Sequence, residues 1–247
     1  MSIIPRRDAL LWPPCRWAGR RPVGAGALAV LLVLAVGGCS GDGASDEQTP
    51  AEVLAGAKSA LDKTAGVHLS LTTDDLPDGV DGVVDADGIG THDPAFEGTI
   101  GARVNEIPLN VPVVAVDGLV YAKLPFTSRY AEIDPGDYGA PDPSQLMATD
   151  GGVSDWLTAA TDVTAGDRVR DGDEVLTTYT GTVPGKAVAS VIPSADATAT
   201  FDAEFRVDDQ GRLQRADVSG PFYGDHGTVA YRIALSDYGT TKDISRP

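Results

Sequence analysis

The chain has 247 residues, with 36 Asp and Glu against 19 Lys and Arg and a net charge of −17. That balance repels phosphate backbones and anionic head groups, which argues against a nucleic-acid binder and against a basic reader of membrane surfaces. The two cysteines, Cys15 and Cys39, leave no basis for a disulfide framework or a cysteine metal site.

In chain order, Arg20 and Arg21 precede an apolar run over 24–36. Thirteen residues are too few to span ~30 Å of hydrocarbon as a helix but suit the core of a signal peptide. The run closes on Val36-Gly37-Gly38-Cys39, which resembles the bacterial lipobox, in which the cysteine becomes an acylated N-terminus. Residues 1–38 are therefore expected to be a lipoprotein signal peptide, with Cys39 as the lipidation site. Two or three acyl chains there would hold the protein to a membrane face, at ~0.8 kcal/mol per buried methylene. Segment 39–48, small and acidic, reads as a flexible tether reaching roughly 15–18 Å. Residues 49–247 form the domain.

A helix follows. Thr49 caps, Pro50 fits the first turn and Glu52 completes a capping box; Val53, Leu54, Ala57 and Leu61 share a face, and Gly66 ends it. The period then changes to two. Strands are expected over 68–72 and 99–104, with a hairpin region in the Asp- and Gly-rich 74–94. A second hairpin joins 111–116 to 119–124 across Asp117-Gly118, and Pro108 and Pro112 suggest an edge or bulge. Short helical pieces follow at 142–147 and at 155–161, the latter capped by Ser154 and ended by Gly166. A strand at 175–182 precedes a helix over 184–192, stopped by Pro193. The chain closes with a meander over 200–207, 213–218 and 229–235. Nine to eleven strands alternating on one side imply one antiparallel sheet with one solvated face, covered on the other by three or four helices.

No motif for chemistry appears: G-x-S-x-G, G-x-x-x-x-G-K, H-E-x-x-H and G-x-G-x-x-G are all absent. Asp85-Ala86-Asp87-Gly88 has the composition of a calcium loop. The first ligand position falls on Val83 and the twelfth on Pro94, so a solvated turn is expected there. His68, His92 and His226 are scattered, and no cofactor and no enzyme activity are expected. Small and branched apolar residues dominate the strands, a lining that favours a cavity over a filled core.

Several segments together resemble the actinobacterial LppX/LprG/LprF lipoproteins over nearly all of the domain. They are VDGLVYAKL (116–124), IDPGDYGAPDPSQLM (133–147), GGVSDWLTAATD (151–162) and TTYTGTVPGKAVASVIPSA (177–195). VDDQGRLQRADVSGPFY (207–223) and ALSDYGTTKDI (234–244) complete the set, in the same order and spacing. The resemblance implies an α+β fold, a strongly curved antiparallel sheet (an open half-barrel) with helices on its concave side enclosing an apolar cavity. It also implies binding of acylated lipids or glycolipids and their carriage across the cell envelope. The protein would sit on the outer face of the cell membrane, with a membrane lipid transporter as a further partner. The family brings no catalytic residues, and Cys39 is the one position of known chemistry. Alternation places Leu69, Leu71, Ile100, Ala102, Val104, Phe201, Phe205, Val229, Tyr231 and Ile233 on the concave face as the expected cavity lining. The alternatives are an envelope lipid hydrolase, which would need a nucleophile elbow, and a structural lipoprotein with a filled core.

Overall fold

The computed structural model describes residues 48–247 except 75, 139 and 173. Cys39, the signal segment and all of the tether but Gln48 lie outside the described residues.

Helix α1 (Pro50–Lys63) begins at the expected box. Thr49 N–H donates to Glu52 Oε2 at 2.8 Å, and Glu52 N–H to Thr49 Oγ1 at 3.3 Å. Leu54, Ala57 and Leu61 are its buried face. Gly66 does not end this helix but opens strand β1 (Gly66–Thr72), where a Cβ would strike the Gly90 and Thr240 carbonyls at 2.7 and 2.8 Å. Five strands follow: β2 (Gly82–Thr91), β3 (Ala95–Val104), β4 (Ile107–Val116), β5 (Leu119–Ala122) and β6 (Ala131–Ile133). After two 3-10 turns (Pro135–Tyr138, Pro143–Met147) come α2 (Ser154–Ala159), β7 (Thr161–Asp171), β8 (Glu174–Pro184) and α3 (Gly185–Ala189). Strands β9 (Thr200–Asp208), β10 (Leu213–Gly220) and β11 (Val229–Ser236) complete the order.

The eleven strands form one antiparallel sheet in the order β6-β5-β4-β3-β2-β1-β11-β10-β9-β8-β7. First and last strands do not meet, so the sheet is open. Bulges at Val83/Asp85 in β2, at Leu213/Arg215 in β10 and twice in β7 add to its twist and curl it. The helices cover one face. The main core lies there, from Leu54 and Trp156 to Phe201, Phe205 and Phe222. Trp156 ties α2 to α3 by donating Nε1–H to the Ala187 carbonyl at 2.9 Å.

Turn chemistry explains the hairpins. Asp117 (φ 56°) and Gly118 (φ 70°) both take the left-handed conformation that the expected two-residue turn requires. Asn105 and Glu106 do the same between β3 and β4. Strand β4 is interior, not an edge, yet its prolines are accommodated. Strand β5 pairs only with 113–116, and the Pro112 carbonyl accepts from Lys123 N–H on that side. Pro112, and Pro108 in the same phase, therefore turn their missing N–H away from β3, where β5 has ended.

Further expectations differ from the structure. Asp85–Gly88 is the middle of β2, not a turn, because Ala86 and Gly88 face inward and only Asp85 and Asp87 face solvent. The α2 helix stops at Ala159, and Gly166 lies within β7, whose residues are almost all exposed. An edge strand with no buried face carries no alternation to read, and its Arg168 and Arg170 guard it against edge-to-edge pairing. The third helix is shorter than 184–192, ending at Ala189.

Ser154 does not cap α2 but is its first residue, and its hydroxyl lies 3.0 Å from Lys58 Nζ. Lys58 also reaches Asp155 (2.8 Å) and Asp62 (2.9 Å), clamping α1 to α2. Burial alone would raise the Asp155 pKa, but the Lys58 hydrogen bond and the Gly151 N–H outweigh it and hold the carboxyl below its ordinary value. A depressed folded pKa contributes stability that is present above about pH 4 and lost as pH falls through the folded value. The Tm should therefore hold down to about pH 4 and decline below it, less steeply in Asp155→Asn. An acid limb identical in the variant would count against the clamp.

Candidate functional site

Register carries one face of the sheet across seven strands. Val111 pairs with Ile100, Ile100 with Ala86, Ala86 with Leu71, Leu71 with Ile233, Ile233 with Ala216, and Ala216 with Phe205. Directly opposed residues share a face. This inner row divides into two halves of different character.

On the β8–β11 side the row is closed by packing. Phe201, Phe205 and Val229 are fully buried, and Ile233 and Tyr231 are nearly so, beneath the helices. Phe201, Phe222 and Tyr231 stack edge-to-face with centroids 4.9 Å apart. Leu69 is also fully buried. The 91–95 end of β2 and β3 is filled too. Phe96 lies over two opposed glycines, Gly88 and Gly98, where a Cβ would come within 2.7 and 2.8 Å of its ring, and Met147 lies against Gly90. Small residues here admit large neighbours. They do not leave a void.

On the β2–β6 side the row opens into an apolar cleft. Ile100, Ala102 and Val104 lie on its floor with Val83, Leu109 and Val111, while Val120, Leu124 and Ile133 form one wall. Pro135, Tyr138, Pro141 and Pro143 roof it. No charged side chain lines it. Its free volume is about 60 Å³. A smaller hollow of about 30 Å³ adjoins it, sharing Val83, Ile100, Pro141 and Pro143 and adding Leu71, Ile192, Tyr223 and Tyr231. Of the ten residues expected to line a cavity, Ile100, Ala102 and Val104 line the cleft. Leu71, Ile100 and Tyr231 line the hollow. Leu69, Phe201, Phe205, Val229 and Ile233 line neither.

The roof, segment 134–147, is held in a distinctive way. Its hydrogen bonds close within itself and with the turn that follows: Gly136 N–H to Asp134 Oδ1, Ala140 N–H to the Pro135 carbonyl, Ser144 N–H to Asp142 Oδ1 and Val153 N–H to the Leu146 carbonyl. Among the described residues, no hydrogen bond joins it to a strand. The side chains it turns toward the cleft, Pro135, Tyr138, Ala140, Pro141 and Pro143, carry no charge.

The hollow holds one polar device. Tyr231 donates its hydroxyl to the Val83 carbonyl at 2.9 Å, at the β2 bulge, and its oxygen lies 2.7 Å from the Tyr223 hydroxyl. Burial pushes both phenols above the ordinary tyrosine pKa, so they stay neutral hydrogen-bonding groups.

Sequence reasoning missed the roof and the β4–β5 wall. Val111 and Val113 alternate as an inner face should, but Val114 and Val116 are apolar as well. Those two lie on the other face, where Ile244 of the chain end packs against Val114 and Ala95.

Polar groups gather at two other places. The outer face brings Ser236, His68 and Asp87 into line, with Ser236 Oγ 3.5 Å from His68 Nδ1 and His68 Nε2 3.2 Å from Asp87 Oδ1. All three are strand residues in adjacent ladders, and the Asp87 side chain is 65% exposed. A working triad needs a buried, orienting carboxylate and donors for an oxyanion, whereas the strand N–H groups here are spent in the sheet. The arrangement is a surface hydrogen-bond chain. The larger hollow of about 510 Å³, between Thr91, Asp93, Asp117, Lys242 and Arg246, is polar. Its cations are already paired, Lys242 to Glu97 and Arg246 to Asp117. Among the described residues, no group of three His, Cys, Asp or Glu is placed to hold a metal, and no helix is long and apolar enough to cross a membrane.

The model of one protein family, the LppX_LprAFG lipoproteins, matches residues 49–244. Among curated proteins no match is found. Among solved structures the chain is similar to LprF from Mycobacterium bovis, at 17% identity and a TM-score of 0.63, covering 80% of this chain and 96% of that one. It is likewise similar to lipoprotein LppX from Mycobacterium tuberculosis, at 19% identity and a TM-score of 0.57, covering 78% and 98%. At these identities the likeness is one of fold.

Proposed function

Since the chain belongs to the LppX_LprAFG lipoprotein family, we propose that it is a membrane-anchored carrier of acylated lipids or glycolipids, held by acyl chains on Cys39. It takes up lipid acyl chains in the cleft floored by Ile100, Ala102 and Val104 and moves them across the cell envelope. The observation that carries this reading is the cleft itself: an apolar lining without charge, beneath a roof that, among the described residues, no hydrogen bond fastens to the sheet.

The closed cleft has room for about two water molecules, far less than an acyl chain needs. Uptake therefore requires the roof to lift. Among the described residues, lifting it breaks no hydrogen bond to a strand, and an entering acyl chain restores apolar burial to the same surfaces, so the exchange is nearly balanced. The polar head stays at the mouth, and the tether keeps the cleft within reach of a donor bilayer.

A second reading, a structural lipoprotein with a filled core, draws on the closed volume and on Phe96 and Met147 occupying the glycine positions. Extraction of the purified, non-acylated domain with organic solvent separates the two. A carrier should release lipid in a stable molar ratio and exchange it with vesicles. A body that yields none, and takes up none when offered acyl lipid, is a filled core.

A further inference from the structure

We propose that the loop over 123–130 is a membrane-contact finger, which inserts Phe126 into the interface of a phospholipid bilayer and sets the mouth of the cleft against it. The proposal rests on three observations and deepens the carrier reading.

The first is the ring itself. Phe126 has a relative exposure of 109%, so its whole side chain stands in solvent, far beyond the other exposed large apolar residues, Ile107 at 60%, Val169 at 44% and Tyr130, in the same loop, at 36%. Its backbone is also unfavourable, with φ at 65°. The turn Leu124-Pro125-Phe126-Thr127 is closed by Thr127 N–H donating to the Leu124 carbonyl at 3.1 Å, and the Thr127 hydroxyl donates to the same oxygen at 2.7 Å. A turn with positive φ at its third residue suits Gly or Asn, and a bulky residue there is strained. Phe126 meets this strain with no packing in return. Neither stability nor solubility accounts for it, whereas a contact outside the molecule does.

Charge is the second. Between Gly118 and Ala131 the charged residues are Lys123 and Arg129, both exposed and, among the described residues, in no ion pair. On a chain of net charge −17 this stretch, bounded by Asp117 and Glu132, is locally cationic, and at its tip an acidic body can approach lipid phosphates.

Position is the third. The bond from Lys123 N–H to the Pro112 carbonyl lays the chain beside β4 and directs it toward Ile107, which pairs with Val104 at that end of the sheet. Leu124, two residues from Phe126, lines the cleft. An aromatic at the tip of a tight turn between two cations, with Tyr130 beside the second of them, is the form of an interfacial anchor. It lacks the broad flat patch that a protein partner would need.

The acylated full-length protein in phosphatidylcholine–phosphatidylglycerol vesicles provides the test, with Phe126→Trp beside Val169→Trp, on the far edge strand, as the control. Bromine on the lipid tails should quench the indole at 126 at least twofold more than the one at 169, with a blue-shifted emission. Equal quenching would overturn the proposal. A blue shift without quenching would place the loop against a second copy of the protein and overturn it equally. Phe126→Ser should slow vesicle-to-vesicle transfer about tenfold while the detached domain binds as much lipid as before. An inserted loop on a domain that binds no lipid would sink the carrier reading and leave the finger. A lipid-binding domain with an unquenched loop would do the reverse.

Discussion

Ala102→Trp should reduce lipid uptake by the detached domain at least tenfold while its Tm moves by only a few degrees. Ala102 lies on the floor of the cleft, half-buried, opposite Val83 and Leu109 in the neighbouring strands. An indole there occupies the volume that acyl chains would use. Overfilling a packed core costs about 1–3 kcal/mol, but the roof over this cleft is joined to a strand by no hydrogen bond among the described residues and can yield. Phe205→Ala supplies the opposite case on the same face. Phe205 is fully buried, facing Ala216 and Tyr179 across its strand pairs. Its truncation should cost about 3–5 kcal/mol. For a domain of this size that corresponds to a fall of roughly 6–20 °C in Tm. Lipid bound per folded molecule should hardly change. If Ala102→Trp unfolds the domain and still takes up lipid, the floor of the cleft is core, and acyl chains bind elsewhere.

Cys39→Ser should have the largest effect of all on location, releasing the protein from the membrane or leaving an uncleaved precursor. Two acyl chains bind a bilayer firmly and one only marginally, so loss of the acylated residue leaves the domain with no comparable anchor. The Phe126 finger alone holds far less apolar surface, so the detached domain should partition into the soluble fraction. Mass spectrometry of the mature wild-type protein should find its N-terminus at an acylated Cys39. An unmodified Cys39, or a mature start at another residue, would remove the anchoring argument while leaving the domain's lipid binding to be judged by extraction.

Ala102→Trp and Phe205→Ala also separate what sequence and tertiary structure each contribute. Local sequence determined whatever local forces decide. The Thr49–Glu52 box set the start of α1, since both hydrogen bonds close within four residues. Asp117-Gly118 set a hairpin, since both residues take positive φ. The alternation in β1, β3, β9 and β11 put Leu71, Ile100, Phe205 and Ile233 on one face, because a strand with one buried side must alternate. Segments spread over nearly all of the domain carried the family. Where burial was absent or doubled, the signal failed. Strand β7 is exposed on both faces, and β4 is apolar on both because the chain end covers its outer side.

Tertiary structure alone decided which part of the inner face is core and which is cleft. Phe205 and Ile100 are indistinguishable by alternation, yet one lies under helices and the other under a segment that, among the described residues, no hydrogen bond fastens to a strand. That difference comes from neighbours distant in sequence: Phe96 and Met147 closing over Gly88, Gly98 and Gly90, and the prolines of 135–143 spanning strands β2 to β6 without joining their ladder. Periodicity reports that a side chain turns inward. What it meets there is set by packing between elements, and no local pattern encodes that.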